Sequence, residues 1–199
     1  MPIILRDGLE IEDPLGAALA FVEAYPGYDS PDPSPTTFDE NDLRRANRGG
    51  ARISAAEIAA VLGRRARIER VLRRIDPEAS LAGAEESIPW ISLTGLFDAF
   101  ADISGIGFSK MTKALHPKRP ALVPMLDSIV QAYLGADASA APFADRAIAL
   151  VRRYKGDLDR NLSALREVQR DLGVRDYRLS EVRILDLLVW SAYTEAHRG

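Results

Sequence analysis

Apolar residues recur at intervals of three and four along almost the whole chain, and no stretch carries the strict alternation of a half-buried strand. That period predicts an all-α, multi-helix fold. Leu15, Leu19 and Val22 form a first apolar face, ended by Tyr25-Pro26-Gly27. Asp39 is placed to cap a helix that runs to Gly49-Gly50, with Glu40 and Asp42 in the first turn, where the helix dipole favours acids. Ser54-Ala55-Ala56-Glu57 has capping-box spacing ahead of Ile58, Val61 and Leu62. An arginine-rich helix turns Ile68, Val71, Leu72 and Ile75 inward before Asp76-Pro77 stops it. Further helices are expected over residues 93–103, 108–115, 128–134, 143–154, 158–172 and 180–196.

A chain of 199 residues that is 47% hydrophobic can bury a sizeable core in one domain or in two tightly packed lobes. Residues 28–37, with Pro31, Pro33 and Pro35 among Asp and Ser, favour extended chain and are the best linker candidate. No repeat of fixed period argues for a solenoid. Without cysteine, disulfides, thiolate zinc and cysteine-held iron–sulfur clusters are excluded, and no metal or other cofactor is expected. The first residues lack the apolar core of a signal peptide, and no apolar run approaches the ~20 residues of a membrane span. These features predict a soluble, cytoplasmic protein with no membrane partner.

The net charge of −3 hides a strong asymmetry. Residues 1–42 hold ten acids against Arg6, and residues 76–104 hold six acids and no base. Residues 43–75, in contrast, carry ten arginines against Glu57 and Glu69, and residues 105–119 add Lys110, Lys113, Lys118 and Arg119 with no acid. Such runs are commonly solvated helix faces. Folded onto one side, they would also meet phosphates.

Chemistry is concentrated around Gly105-Ile106-Gly107, which separates two apolar helical stretches. Two glycines allow a tight turn, Ile106 can bury itself between the flanking helices, and the turn presents bare amides at the positive end of the next helix. Gly105, Ile106, Gly107, Phe108 and Ser109 would hold one phosphate there, with Lys110 and Lys113 adding attraction. Asp127 lies twenty positions after Gly107, behind the apolar approach Leu122-Val123-Pro124-Met125-Leu126. By its residue type it is an N-cap for the helix that follows, a role compatible with catalysis. His116 reads as part of a helix end, and Asp186 as a core residue bonded to a neighbouring helix end or an arginine. Trp90, Phe97, Phe100, Tyr133 and Trp190 stand at helical spacing and read as core.

Over residues 96–134 the pattern of apolar residue, spacer, Gly-Ile-Gly, then Lys and Ala resembles the helix-hairpin-helix DNA glycosylase superfamily typified by endonuclease III. The helix-hairpin-helix would span residues 93–116. The resemblance implies DNA gripped through the hairpin and the basic helix faces without sequence readout, and base excision with Asp127 as the catalytic carboxylate. Bifunctional members carry a lysine two residues after the second glycine, where this chain has Ser109. Lys110 is rotated by ~100° from that position, so the resemblance implies a monofunctional N-glycosylase rather than a lyase. The chain as a whole also looks similar to a group of uncharacterised helical proteins of high-GC actinobacteria, through residues 118–127 and 185–190. Two alternatives stand beside the enzyme: a non-catalytic nucleic-acid-binding module that keeps the hairpin, and a protein-interaction domain whose acidic and basic blocks pair between copies. None of these readings fixes the oligomeric state.

Overall fold

The computed structural model describes residues 1–25, 29, 34–135 and 140–196. Half of the segment expected as a linker, including Pro31 and Pro33, lies outside the described residues. The architecture is all-α apart from one short antiparallel pair, β1 (Ile3–Ile4) and β2 (Glu10–Ile11). Two-residue strands are too short to leave a readable alternation in the sequence. β1 is instead fastened to a helix: Asn161 Oδ1 accepts from the Ile4 amide and Asn161 Nδ2 donates to the Ile4 carbonyl, both at 2.9 Å.

Local capping chemistry sets most helix starts. Asp13 caps α1 (Pro14–Ala24), which has proline in its first turn. Asp39 caps α2 (Glu40–Arg48) in a full capping box with Asp42, and Ser54 with Glu57 does the same for α3 (Ala55–Leu62). α4 (Arg65–Leu72) buries Ile68 and Leu72. α5 (Trp90–Asp98) is shorter than its periodicity suggests, because Asp102 adopts a left-handed φ of +61° and the chain leaves the helix before Ile103. α6 (Phe108–Leu115) and α7 (Ser128–Tyr133) follow.

The helices expected over 143–154 and 158–172 are one continuous element, α8 (Phe143–Gly173), 31 residues long. A single interior glycine costs about 1 kcal/mol relative to alanine. Around Gly156 that cost is offset by burial of Tyr154, Lys155, Asp157 and Leu158. α9 (Glu181–Ala196) packs along α8, as does α5, while α1 and α7 pack on α9 and α2 packs on α6. Buried apolar side chains from all of these helices form one cluster, with Phe38 and Phe100 meeting edge to face at 6.0 Å in its interior.

Buried polar groups tie loops to this core. The fully buried Arg119 donates to the Leu72 and Ile75 carbonyls at 2.6 and 2.8 Å and to those of Pro35 and Lys118 at 2.8 and 2.6 Å, so it closes the C-terminal end of α4. Lys118 pairs with Asp42 at 2.8 Å, both almost fully buried. His116 is buried with Nδ1 2.7 Å from the Val123 carbonyl, as its expected place at a helix end requires. Burial, aided by the nearby Arg183, lowers its pKa to about 4 and keeps the ring neutral at pH 7.

Candidate functional site

The chain approaching α7 turns at Asp127, whose backbone is extended and whose Oδ1 accepts from the Ile129 and Val130 amides, both at 3.0 Å. Asp127 is therefore the N-cap that its residue type predicts. The same side chain lines a cavity of about 420 Å³, and its second oxygen makes no hydrogen bond among the described residues.

The cavity lies where α1, α2, α6, α7 and α9 converge. Its apolar wall is an aromatic group from α1 and α9: Phe21 and Trp190 meet edge to face at 5.5 Å, and Tyr25 stands 4.9 Å from Phe21 and 6.2 Å from Trp190. Trp190 thus lines the cavity instead of filling the core, whereas Phe97, Phe100 and Tyr133 are buried. Trp90 is half-buried beneath the Arg152 guanidinium, 4.1 Å from the ring centre.

Cations enter from three helices. Arg45 and Arg48 come from the last turn of α2, Lys113 from α6 and Arg183 from α9. Arg183 pairs with Asp29 at 2.6 Å and lies 5.1 Å over the Phe21 ring. Lys113 Nζ donates to the Gly49 carbonyl at 3.0 Å. Burial lowers the Lys113 pKa, Asp127 opposes that fall and Arg183 adds to it. Asp127 and Lys113, two of the residues singled out in the sequence, therefore share this site.

Asp186 is the second carboxyl of the cavity and is only 2% exposed. Its Oδ2 accepts from the Met125 amide at 3.0 Å, in the loop ahead of α7 rather than at a helix end. Among the described residues its Oδ1 has no hydrogen-bond partner; the neighbouring Tyr154 hydroxyl donates to the Val182 carbonyl at 2.5 Å. Burial raises the Asp186 pKa to about 8, although Arg183, the Met125 amide and the Tyr154 hydroxyl pull it down; Asp127 pushes it further up. At pH 7 this side chain is chiefly a neutral carboxylic acid.

The turn between α5 and α6 has the conformation its glycines suggest. Gly105 has φ +80°, Gly107 precedes α6 in an extended conformation, and Ile106 is 6% exposed with its amide on the Ile103 carbonyl at 3.1 Å. No side chain caps α6. Phe108 is not free to meet a ligand face-on: it packs on Phe143 at 4.8 Å with Arg146 over its ring. Lys110 is held at 2.7 Å by Glu57, and a Cβ at Gly105 would collide with Glu57 Oε1. The acid that completes the α3 capping box thus also sits on the turn. Lys110 and the Ser54 amide hold the Glu57 pKa below the usual carboxylate range.

Sequence reasoning placed Asp127 and Lys113 but missed Glu57, Arg45, Arg48 and Asp186 as neighbours of these features. Glu57 was legible as a cap, and nothing in its spacing shows what lies across from it. Much of the arginine-rich run is committed to surface pairs: Arg44 with Glu40, Arg65 and Arg73 with Glu69, and Arg67 with Asp98. Among the described residues no group of three or more His, Cys, Asp or Glu is placed to hold a metal ion, and no helix is long and apolar enough to cross a membrane.

No curated protein and no solved structure matches the chain. A family model described as a family of unknown function (DUF6308) matches residues 16–193, so the cavity and the glycine turn both lie within the matched region, and the chain belongs to the DUF6308 family.

Proposed function

We propose that this protein is a helix-hairpin-helix DNA-binding protein of the monofunctional N-glycosylase type, with Asp127 as its catalytic carboxylate. The observation that carries the reading is the cavity beside Asp127, large enough for a ligand and walled by aromatic rings and cations. In such a reaction the bond between sugar C1′ and the base nitrogen breaks, and the base leaves with the bonding pair and takes up a proton. The Asp127 carboxylate stabilises the cationic sugar or takes a proton from the water that adds to C1′. Lys113 is half-buried and sits near Asp127, where it offers charge to a phosphate flanking the reacting sugar. The exposed Gly105 and Gly107 amides at the start of α6 supply a second phosphate contact, as the resemblance to glycosylase hairpins implies.

The test is fluorescence-anisotropy binding to duplex and single-stranded oligonucleotides, one carrying an abasic-site analogue, at two salt concentrations, followed by a base-release assay. Salt-sensitive preference for the abasic strand, weakened at least ten-fold in a Gly105→Ala/Gly107→Ala variant, supports the hairpin. Base release abolished by Asp127→Asn, with binding retained, supports the chemistry. Lack of binding by the wild type at either salt concentration refutes both.

A non-catalytic binding domain that meets its partner through the basic helix faces rather than the turn is the second reading, and the Glu57–Lys110 pair favours it. That pair places a carboxylate on the turn, so an anion approaching there must displace it. In that case binding survives Asp127→Asn and no base is released by the wild type.

A further inference from the structure

The buried, unpartnered Asp186 Oδ1 has no role in the reaction just described, and a native fold rarely leaves such an atom without a purpose. We propose that the cavity is a nucleotide site in which Asp186 is the group that hydrogen-bonds the edge of the base, with the base against Phe21, Tyr25 and Trp190 and its phosphate toward Arg48 and Lys113. This rests on the cavity being a ligand site, as in the proposed function, and adds the residue that reads the ligand.

Three independent features converge on it. First, Asp186 is anchored at one oxygen only: the Met125 amide fixes Oδ2 and hence the orientation of the carboxyl plane, which leaves Oδ1 as the atom with capacity to spare. A carboxylic acid fixed in this way donates to a ring nitrogen or carbonyl oxygen, a common pattern on the edges of nucleobases. Second, Tyr25 and Trp190 offer ring faces and edges to a planar ligand, backed by Phe21, whose own ring lies under Arg183. Third, the polar side of the same cavity carries Arg48 and Lys113, suited to a phosphate.

The groups surrounding Asp186 decide its charge. Arg183 lies on its own helix, Tyr154 on α8, Asp127 at the start of α7, Lys113 on α6, and Arg45 and Arg48 on α2. Arg183 is shared with Asp29 and the Tyr154 proton is directed to Val182, so the downward pull of both on Asp186 is smaller than the effect of burial. Burial therefore prevails and holds the proton on Asp186 up to about pH 8. Two sources of ligand share this chemistry: a free nucleoside monophosphate, and a nucleotide extruded from a strand.

The experiment is isothermal titration of the full chain with adenosine and cytidine 5′-monophosphates, with inorganic phosphate as control, at pH 7 and pH 9. The same titration is made with Asp186→Asn and Asp186→Leu, each checked by circular dichroism. At least one nucleotide is expected to bind at least ten-fold more tightly than phosphate. Its affinity should fall about ten-fold from pH 7 to pH 9, as the protonated fraction of a group titrating near 8 falls. Asp186→Asn keeps an N–H donor and should bind at pH 7 within a few-fold of wild type, without that Asp186-dependent fall. Burial also lowers the Lys113 pKa, and the Asn variant isolates any share of the response that comes from it. Asp186→Leu should lose at least ten-fold at pH 7. An abasic oligonucleotide competing with the nucleotide identifies the strand as a source. Absence of nucleotide binding, or an equal pH response in wild type and Asp186→Asn, overturns the assignment. Because DNA binding through the hairpin is read separately, either outcome leaves that reading to its own assay.

Discussion

His116 gives the sharpest handle on stability, because an imidazole buried in its neutral form takes up a proton far more readily once the chain unfolds, so acid favours unfolding. Its folded pKa is lowered to about 4, against 6.5 for an exposed histidine. Between those values the unfolded chain holds more protons than the folded one, so stability rises with pH across that window. The contribution is fully present above pH 6.5 and lost as pH falls to 4. The whole interval corresponds to about 3 kcal/mol, of which about 2–3 kcal/mol falls between pH 7 and pH 4.5. The perturbation is His116→Asn, which keeps a donor for the Val123 carbonyl and removes the titration. Urea unfolding of both proteins at the two pH values is the assay. Wild type is expected to lose its advantage over the variant, or to fall behind it, by that amount at pH 4.5. Asp186 acts in the opposite direction, its raised pKa making the fold less stable as pH rises toward 8, but it is common to both proteins and cancels. A difference between the two that is the same at pH 7 and pH 4.5 would refute the argument.

Three further outcomes are expected. Asp127→Ala removes the acceptor for the Ile129 and Val130 amides and should cost about 1 kcal/mol, a drop of ~2–4 °C in Tm, whereas Asp127→Asn should melt close to wild type. Arg119→Met leaves the Leu72 and Ile75 carbonyls without their donor inside the core; a loss of at least ~2 kcal/mol by urea unfolding is expected, and an unchanged midpoint would mean that other donors replace it. Glu57→Gln removes the carboxylate that holds Lys110 beside the glycine turn, so oligonucleotide affinity should rise a few-fold at low salt and the salt dependence should steepen by about one counterion, with no change expected if the turn does not meet phosphate.

Most of the helical framework was legible because capping boxes and apolar spacing are local. Asp39, Ser54 with Glu57, and the glycines at 49 and 50 carry boundaries within a few residues of themselves. The readings that changed were those in which distant contacts outweighed local signals. Gly156 and the charged residues beside it look like a break between two helices, and packing against the rest of the molecule makes α8 continuous there. Asp186 looked like a core residue, and it is buried; only the path of the chain at Met125 shows that one of its oxygens is spoken for and the other is not. Asp127 was placed by its type as a cap, yet the wall opposite it is supplied by residues more than a hundred positions earlier and sixty later. No sequence window contains that information.

The anchoring of β1 on α8 also bears on how the chain reaches this structure as it is made. Both backbone groups of Ile4 bond with Asn161, Arg6 reaches the Leu134 carbonyl and the Tyr133 hydroxyl takes a bond from its amide, so an early segment docks on residues made more than a hundred positions later. At ribosomal rates the interval between the two is on the order of ten seconds. For that time Ile3 and Leu5, both fully buried at the end, have no surface to rest on, and the α1 face that meets α9 waits still longer. A nascent chain of this design exposes apolar surface over residues 3–22 until α8 and α9 have been made, and chaperones that capture such segments should bind it there.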